Sequence, residues 1–134
     1  MFQKSSPTGA AAMPSRLSRP ALDRARQFVA AKGRLIDAVL VQHALGEGTA
    51  TDVLVALAPY QNDDGGFGHA LEPDLRTPAS TAIATSVGLQ ILRRIQAPAD
   101  HPAVSGAVGY LLRTLDRDRG VWPIIGPAVD EAPH

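Results

Sequence analysis

The sequence predicts an all-α fold built from antiparallel helical hairpins, and three observations carry that prediction. Apolar residues recur at helical spacing in several separate segments. Glycine and proline punctuate those segments where helices would have to stop. A glycine–aromatic motif occurs twice, each time just after a helical segment.

The elements follow in order. Residues 1–20, MFQKSSPTGAAAMPSRLSRP, are rich in Ser, Ala and Pro and predict a disordered extension. A secretory signal needs an apolar run of about seven or more residues, and Ala10 to Pro14 is too short for one. Pro20 suits the opening of a helix, where its missing N–H costs nothing. Leu22, Ala25, Phe28 and Val29 then share one face, and Leu35, Val39, Leu40 and Val41 continue a second stripe. This pattern predicts helices over 21–31 and 33–44, or one long kinked helix. Gly33 cannot decide between them, since a helical glycine costs only about 1 kcal/mol.

Gly46 and Gly48 mark a turn, and Thr49 with Asp52 forms a capping box for a helix buried through Val53, Leu54 and Leu57. Pro59 ends it near Ala58. A long joint runs from Tyr60 to Pro78. Ser80 to Ile95 reads as a central helix, with Ile83, Val87, Ile91 and Ile95 in register and Ala84 and Leu92 beside them. Asp100 is placed to cap the next helix, whose stripe is Val104, Ala107, Val108, Leu111, Leu112 and Leu115. Gly106 and Gly109 on that helix suit either close helix contact or a solvent-facing side. The segment from Val121 to His134, with Pro123, Pro127 and Pro133, predicts irregular chain.

Composition narrows the function. The 134 residues are 45% hydrophobic and carry a formal net charge of zero, so no cationic surface for nucleic acid is implied. There is no cysteine, which excludes disulfides, thiolate nucleophiles and cysteine-ligated zinc. No His/Asp trio stands at metal-site spacing, so neither metal nor cofactor is expected. No run approaches the length of a membrane-spanning helix. A cytoplasmic address is the default.

The repeat is the most specific signal. Gln61-Asn-Asp-Asp-Gly65-Gly-Phe67 has the form Q-x-x-x-G-x-F, and Asp116-Arg-Asp-Arg-Gly120-Val-Trp122 repeats it as D-x-x-x-G-x-W. Glycine permits a positive φ, the aromatic ring can fold back over helix ends, and Gln61 or Asp116 can bond turn backbone. Stacked supersecondary units leave this kind of signature.

These motifs resemble the Gln–Trp repeats of squalene and terpenoid cyclases and of protein prenyltransferase β subunits. The block YQNDDGGFGHALEPDLRTPASTAIATSVGLQIL, with GVWP and VDEAPH, is similar to bacterial prenyltransferase/squalene-oxidase-repeat proteins. The resemblance covers roughly residues 50–134 and, more weakly, 21–49. It implies a partial α/α-toroid repeat domain over 21–134, an amino-terminal piece with too few helices to close a ring. It also implies an isoprenoid or other apolar ligand.

The chemistry such enzymes need is incomplete here. The D-x-D-D motif of protonation-started cyclases is absent, and Asp63-Asp64 lacks the last acid of D-D-x-x-D. One Trp, two Tyr and three Phe are few for a pocket that must stabilise a carbocation. The candidate site is instead His69, Glu72, Asp74 and Arg76, four ionisable residues beside Pro73 and Pro78. Glu72 and Asp74 can act as acid and base if burial raises one pKa. The competing reading is a structural network, with the carboxylates on helix ends and Arg76 paired to one of them. Two functions follow: an enzyme segment acting on an apolar ligand, or a non-catalytic helical scaffold for a protein partner. A truncated product without activity of its own is a third. In each case an uncovered repeat edge favours self-association.

Overall fold

A computed structural model describes residues 16–123. The described chain is all-α, with five α-helices, one 3-10 turn and only isolated β-bridges in its joints. The expected extension over 1–15 and the irregular tail over 124–134 lie outside the described residues.

Helix α1 spans Arg19–Lys32, with the Ser18 hydroxyl accepting from the Ala21 N–H. It starts two residues before the expected boundary. Gly33 and Arg34 are both extended, so α1 and α2 (Leu35–Ala44) are separate helices rather than one kinked one. A Cβ on Gly33 would lie 2.7 Å from the Val29 carbonyl oxygen, which is why glycine stands at this break. Helix α3 (Ala50–Leu57) carries the expected capping box. The Asp52 N–H donates to Thr49 Oγ1 at 3.1 Å, and the Thr49 N–H donates back to Asp52 Oδ2 at 2.8 Å. The 3-10 turn Ala58–Tyr60 follows, at the expected Pro59 stop.

Helix α4 spans Ala82–Arg94 and is capped by Thr81, whose hydroxyl accepts from Ala84 N–H. Helix α5 spans Pro102–Thr114. Its cap is His101, which accepts the Ala103 N–H on Nδ1, and not Asp100, which lies exposed one residue too early. Helix α1 packs on α2, α2 on α3, and α4 on α5.

The core gathers Ile36, Val53, Ala56, Leu57, Phe67, Leu71, Ala84, Ile91, Leu92, Ile95 and Ala107. Four expected faces are corrected by it. Helix α1 buries no residue, and Phe28 is 68% exposed. On α2 the buried residue is Ile36, while Leu35 points outward. The buried side of α4 is Ala84, Thr85, Gly88, Ile91 and Leu92, so the face is rotated away from Ile83. On α5 only Ala107 of the long stripe is buried, and Val108 and Leu112 face solvent. Each error has one cause. A helical stripe shows which residues could be buried, but the neighbour across from it decides which are.

Candidate functional site

The joint between α3 and α4 is built around Phe67. Its ring is fully buried against Gly88, in the middle of α4, and a Cβ on Gly88 would lie 2.6 Å from the ring. The ring therefore packs on a helix face, not over helix ends as the sequence suggested. The Phe67 N–H donates to Thr85 Oγ1 at 2.9 Å, and the Phe67 carbonyl accepts from Thr81 N–H at 3.0 Å. Sequence spacing passed over Thr85 and Gly88 because neither is apolar enough to mark a stripe. A small residue one turn from a hydroxyl on a central helix is the signal that was there to read.

The turn itself depends on glycine. Gly65 has φ +83, and a Cβ there would meet the Gly106 carbonyl oxygen at 2.4 Å. Gly106 thus serves the close contact between α5 and the turn. Gln61 Nε2 ties the two together by donating to the carbonyls of Gly65 (2.8 Å) and Ala103 (3.0 Å).

The second joint reproduces part of this. Gly120 has φ +67, and Asp116 bridges to Val121. The Asp116 carboxylate accepts from the backbone N–H groups of Asp118 and Arg119. The hydrogen bonds are shifted by a residue: Asn62 N–H donates to Gly66 in the first joint, whereas Asp116 N–H donates to Val121 in the second. Trp122 donates its indole N–H to the Leu111 carbonyl at 2.7 Å and stays 40% exposed.

The four ionisable loop residues separate. His69 Nε2 lies 2.8 Å from Asn62 Oδ1, and its backbone N–H donates to Thr77. Glu72 lines a cleft of about 240 Å3 with Arg34, Asp37, Gln90 and Arg94 over an apolar floor that includes Leu40 and Ile91. Its carboxylate also accepts a long bond (3.5 Å) from Asp74 N–H. Asp74 and Arg76 are exposed. Neither side chain bonds to another described residue, so Arg76 does not make the expected ion pair. Of the Asp63-Asp64 pair, Asp64 accepts from Gly66 N–H and Ser80 Oγ, while Asp63 is exposed.

The residue that organises this loop is one the sequence did not single out. Arg34 donates from Nε and Nη2 to both oxygens of Asp37, at 2.8 and 2.9 Å. Its Nη1 donates to the carbonyls of Ala70 (2.7 Å) and Leu71 (3.1 Å). The bond to Asp37 raises the Arg34 pKa further, against some desolvation, and the same bond holds the Asp37 carboxyl below its ordinary value. The carbonyls it grips follow two residues at positive φ, His69 (+55) and Ala70 (+58). That backbone is costly for residues with a Cβ and persists only where its surroundings fix it. The arginine three residues before an aspartate at a helix start was the readable signal.

Chemically, the arrangement holds backbone in place. Among the described residues no three His, Asp or Glu side chains converge as metal ligands. Comparison with family models, with curated proteins and with solved structures returns no match.

Proposed function

We propose that the chain is a non-catalytic helical-repeat scaffold that binds another protein through its uncovered helix faces. The observation that carries this reading is the dispersal of the candidate acid–base set. Catalysis by paired groups needs them within hydrogen-bond reach of one reacting centre. Here Glu72 alone reaches a cleft, His69 is engaged by Asn62, and Asp74 and Arg76 face solvent.

The clefts support the same reading. Sites for small ligands are commonly about 300–1,000 Å3 and bury most of the ligand. The Glu72 cleft, at about 240 Å3, and an apolar cleft between α1 and α2, at about 230 Å3, are below that range; an open groove of about 350 Å3 beside Trp122 is at its lower end, and none of the four candidate residues lines it. The incomplete α/α toroid remains our reading of how the hairpins would extend, and we place the protein in the cytoplasm. No described helix is long and apolar enough to cross a membrane.

The test is turnover. The 134-residue chain is incubated with allylic diphosphates and with uncharged polyprenes, with and without magnesium, and products are sought. The scaffold reading predicts none. Product formation that disappears in Glu72→Gln or Asp74→Asn, with folding intact, overturns it in favour of an isoprenoid enzyme.

A further inference from the structure

The formal net charge of zero hides an uneven distribution. Of the 13 basic and 13 acidic residues, residues 1–32 hold six basic ones and a single acid, Asp23, so the rest of the chain holds seven and twelve. That one acid is already paired. Asp23 lies 3.6 Å from Arg26, which also pairs with Glu47 after α2. Arg16, Arg19, Arg24 and Lys32 are exposed and form no ion pair with a described residue.

The apolar side chains of this end are exposed beside those cations. Arg26 and Val29 line the cleft against α2, whereas Phe28 points away from it and is 68% exposed. Arg24 stands four residues before Phe28 and Lys32 four residues after it. The ring therefore lies between two cations, one helical turn away on either side of a single exposed strip. Leu17, just before α1, and Leu35, just after it, are exposed to a similar degree.

We propose that α1 is a membrane-surface anchor, lying flat on a bilayer that carries anionic lipids, with Phe28 among the acyl chains. At 14 residues α1 is about 21 Å long, too short to span a bilayer but suited to its interface. Arginine and lysine carry their charge on long aliphatic stems, so Arg24 and Lys32 can reach lipid phosphates while the ring between them sits deeper. A nucleic acid would match the cations and leave Leu17, Phe28 and Leu35 in water; an anionic bilayer receives both kinds of side chain. Such a surface also repels the net-acidic remainder of the chain, which favours α1 as the docking end. The cytoplasmic leaflet is the one rich in anionic lipid, in agreement with a cytoplasmic address.

The proposal goes beyond the scaffold reading and fails separately from it, since a chain that turned over isoprenoids could still bind a membrane. The experiment is co-sedimentation of the full chain with vesicles of phosphatidylcholine alone, or with about one third phosphatidylserine, at lipid concentrations up to millimolar. Binding is expected to the anionic vesicles only, and to weaken with added salt. A cation near an anionic surface is worth about 1 kcal/mol, so Arg24→Gln and Lys32→Gln should each weaken partitioning about five-fold. Burying a phenylalanine ring is worth about 1.5–3 kcal/mol, so Phe28→Ser should weaken it about ten-fold or more. Arg93→Gln, an equal loss of charge at the exposed end of α4, should leave binding unchanged. All four positions are exposed, and circular dichroism verifies that each variant keeps its helices. Because the chain has no cysteine, Ala31→Cys takes a single environment-sensitive dye beside Phe28, and its emission should shift to the blue on anionic vesicles. Absence of binding to anionic vesicles, equal binding to both kinds, or full binding by Phe28→Ser overturns the proposal. So does release of the bound chain by an oligonucleotide at equal phosphate concentration, which would make α1 a nucleic-acid surface instead.

Discussion

At the scale of residues, the first joint depends on a few contacts that tolerate no added atom. The Phe67 ring fills the space that a side chain on Gly88 would need. Gly88→Ala should therefore destabilise the chain by about 1–3 kcal/mol, the usual cost of overpacking a closed site. The expected gain in helix propensity, about 1 kcal/mol, works in the opposite direction and is the smaller effect. Thr85→Val tests the polar half of the same joint. It removes the acceptor of a buried N–H at nearly constant shape, and urea unfolding should show a loss of about 1–3 kcal/mol. An unchanged midpoint in both variants would show that Phe67 is not held as described.

Arg34 is the second residue-scale anchor. Arg34→Ala removes four hydrogen bonds, two to Asp37 and two to loop carbonyls. Both side chains are more than a third exposed, so solvent screening limits the ion pair, and the expected loss is about 1–2 kcal/mol. Arg34→Lys should recover little of it, because an ammonium lacks the planar fork that reaches a carboxylate and two carbonyls together. Full recovery by lysine would show that charge alone matters there.

At the scale of elements, the helix boundaries were mostly legible and the buried faces were not. The Thr49–Asp52 cap and the Pro59 stop follow from local chemistry, and both stand where the sequence places them. The cap of α5 was misread, because His101 competes with Asp100 and only the chain's path settles which one reaches Ala103. Burial depends on a neighbour. Thr85 and Gly88 lie inside because Phe67 comes from another segment, and Phe28 lies outside because no described residue covers that side of α1. Whether the four ionisable candidates meet depends in the same way on the path of the chain: the left-handed pair His69–Ala70 and the turn from Glu72 to Leu75 send them apart.

The caps also set a pH dependence. Asp37 is held below its ordinary pKa by Arg34, and Asp52 below its own by the Thr49 hydroxyl and N–H. A carboxyl with a depressed folded pKa stabilises fully above its unfolded value, about 3.9, and that contribution is lost as pH falls through the folded value. Asp37→Asn should therefore lose stability relative to wild type at pH 6, with the gap closing towards pH 2. A gap of equal size at both pH values would mean that ionisation of Asp37 contributes nothing.

At the scale of the whole molecule, the described chain is helical, with its core around the first joint and exposed apolar residues on its first and last described elements. The repeat was legible as a pattern. What it did not disclose is that, among the described residues, only the first copy is closed by a following helix. Phe67 and Trp122 look equivalent in sequence, yet one is at 0% exposure and the other at 40%. That difference can be measured residue by residue. Native-state amide hydrogen exchange followed by NMR, at concentrations where the chain is monomeric, reports the opening of each joint directly. The Phe67 and Thr81 N–H groups are expected to exchange only on global unfolding, while those of Asp116 and Val121 exchange through local opening, orders of magnitude faster. Equal protection at the two joints would contradict this.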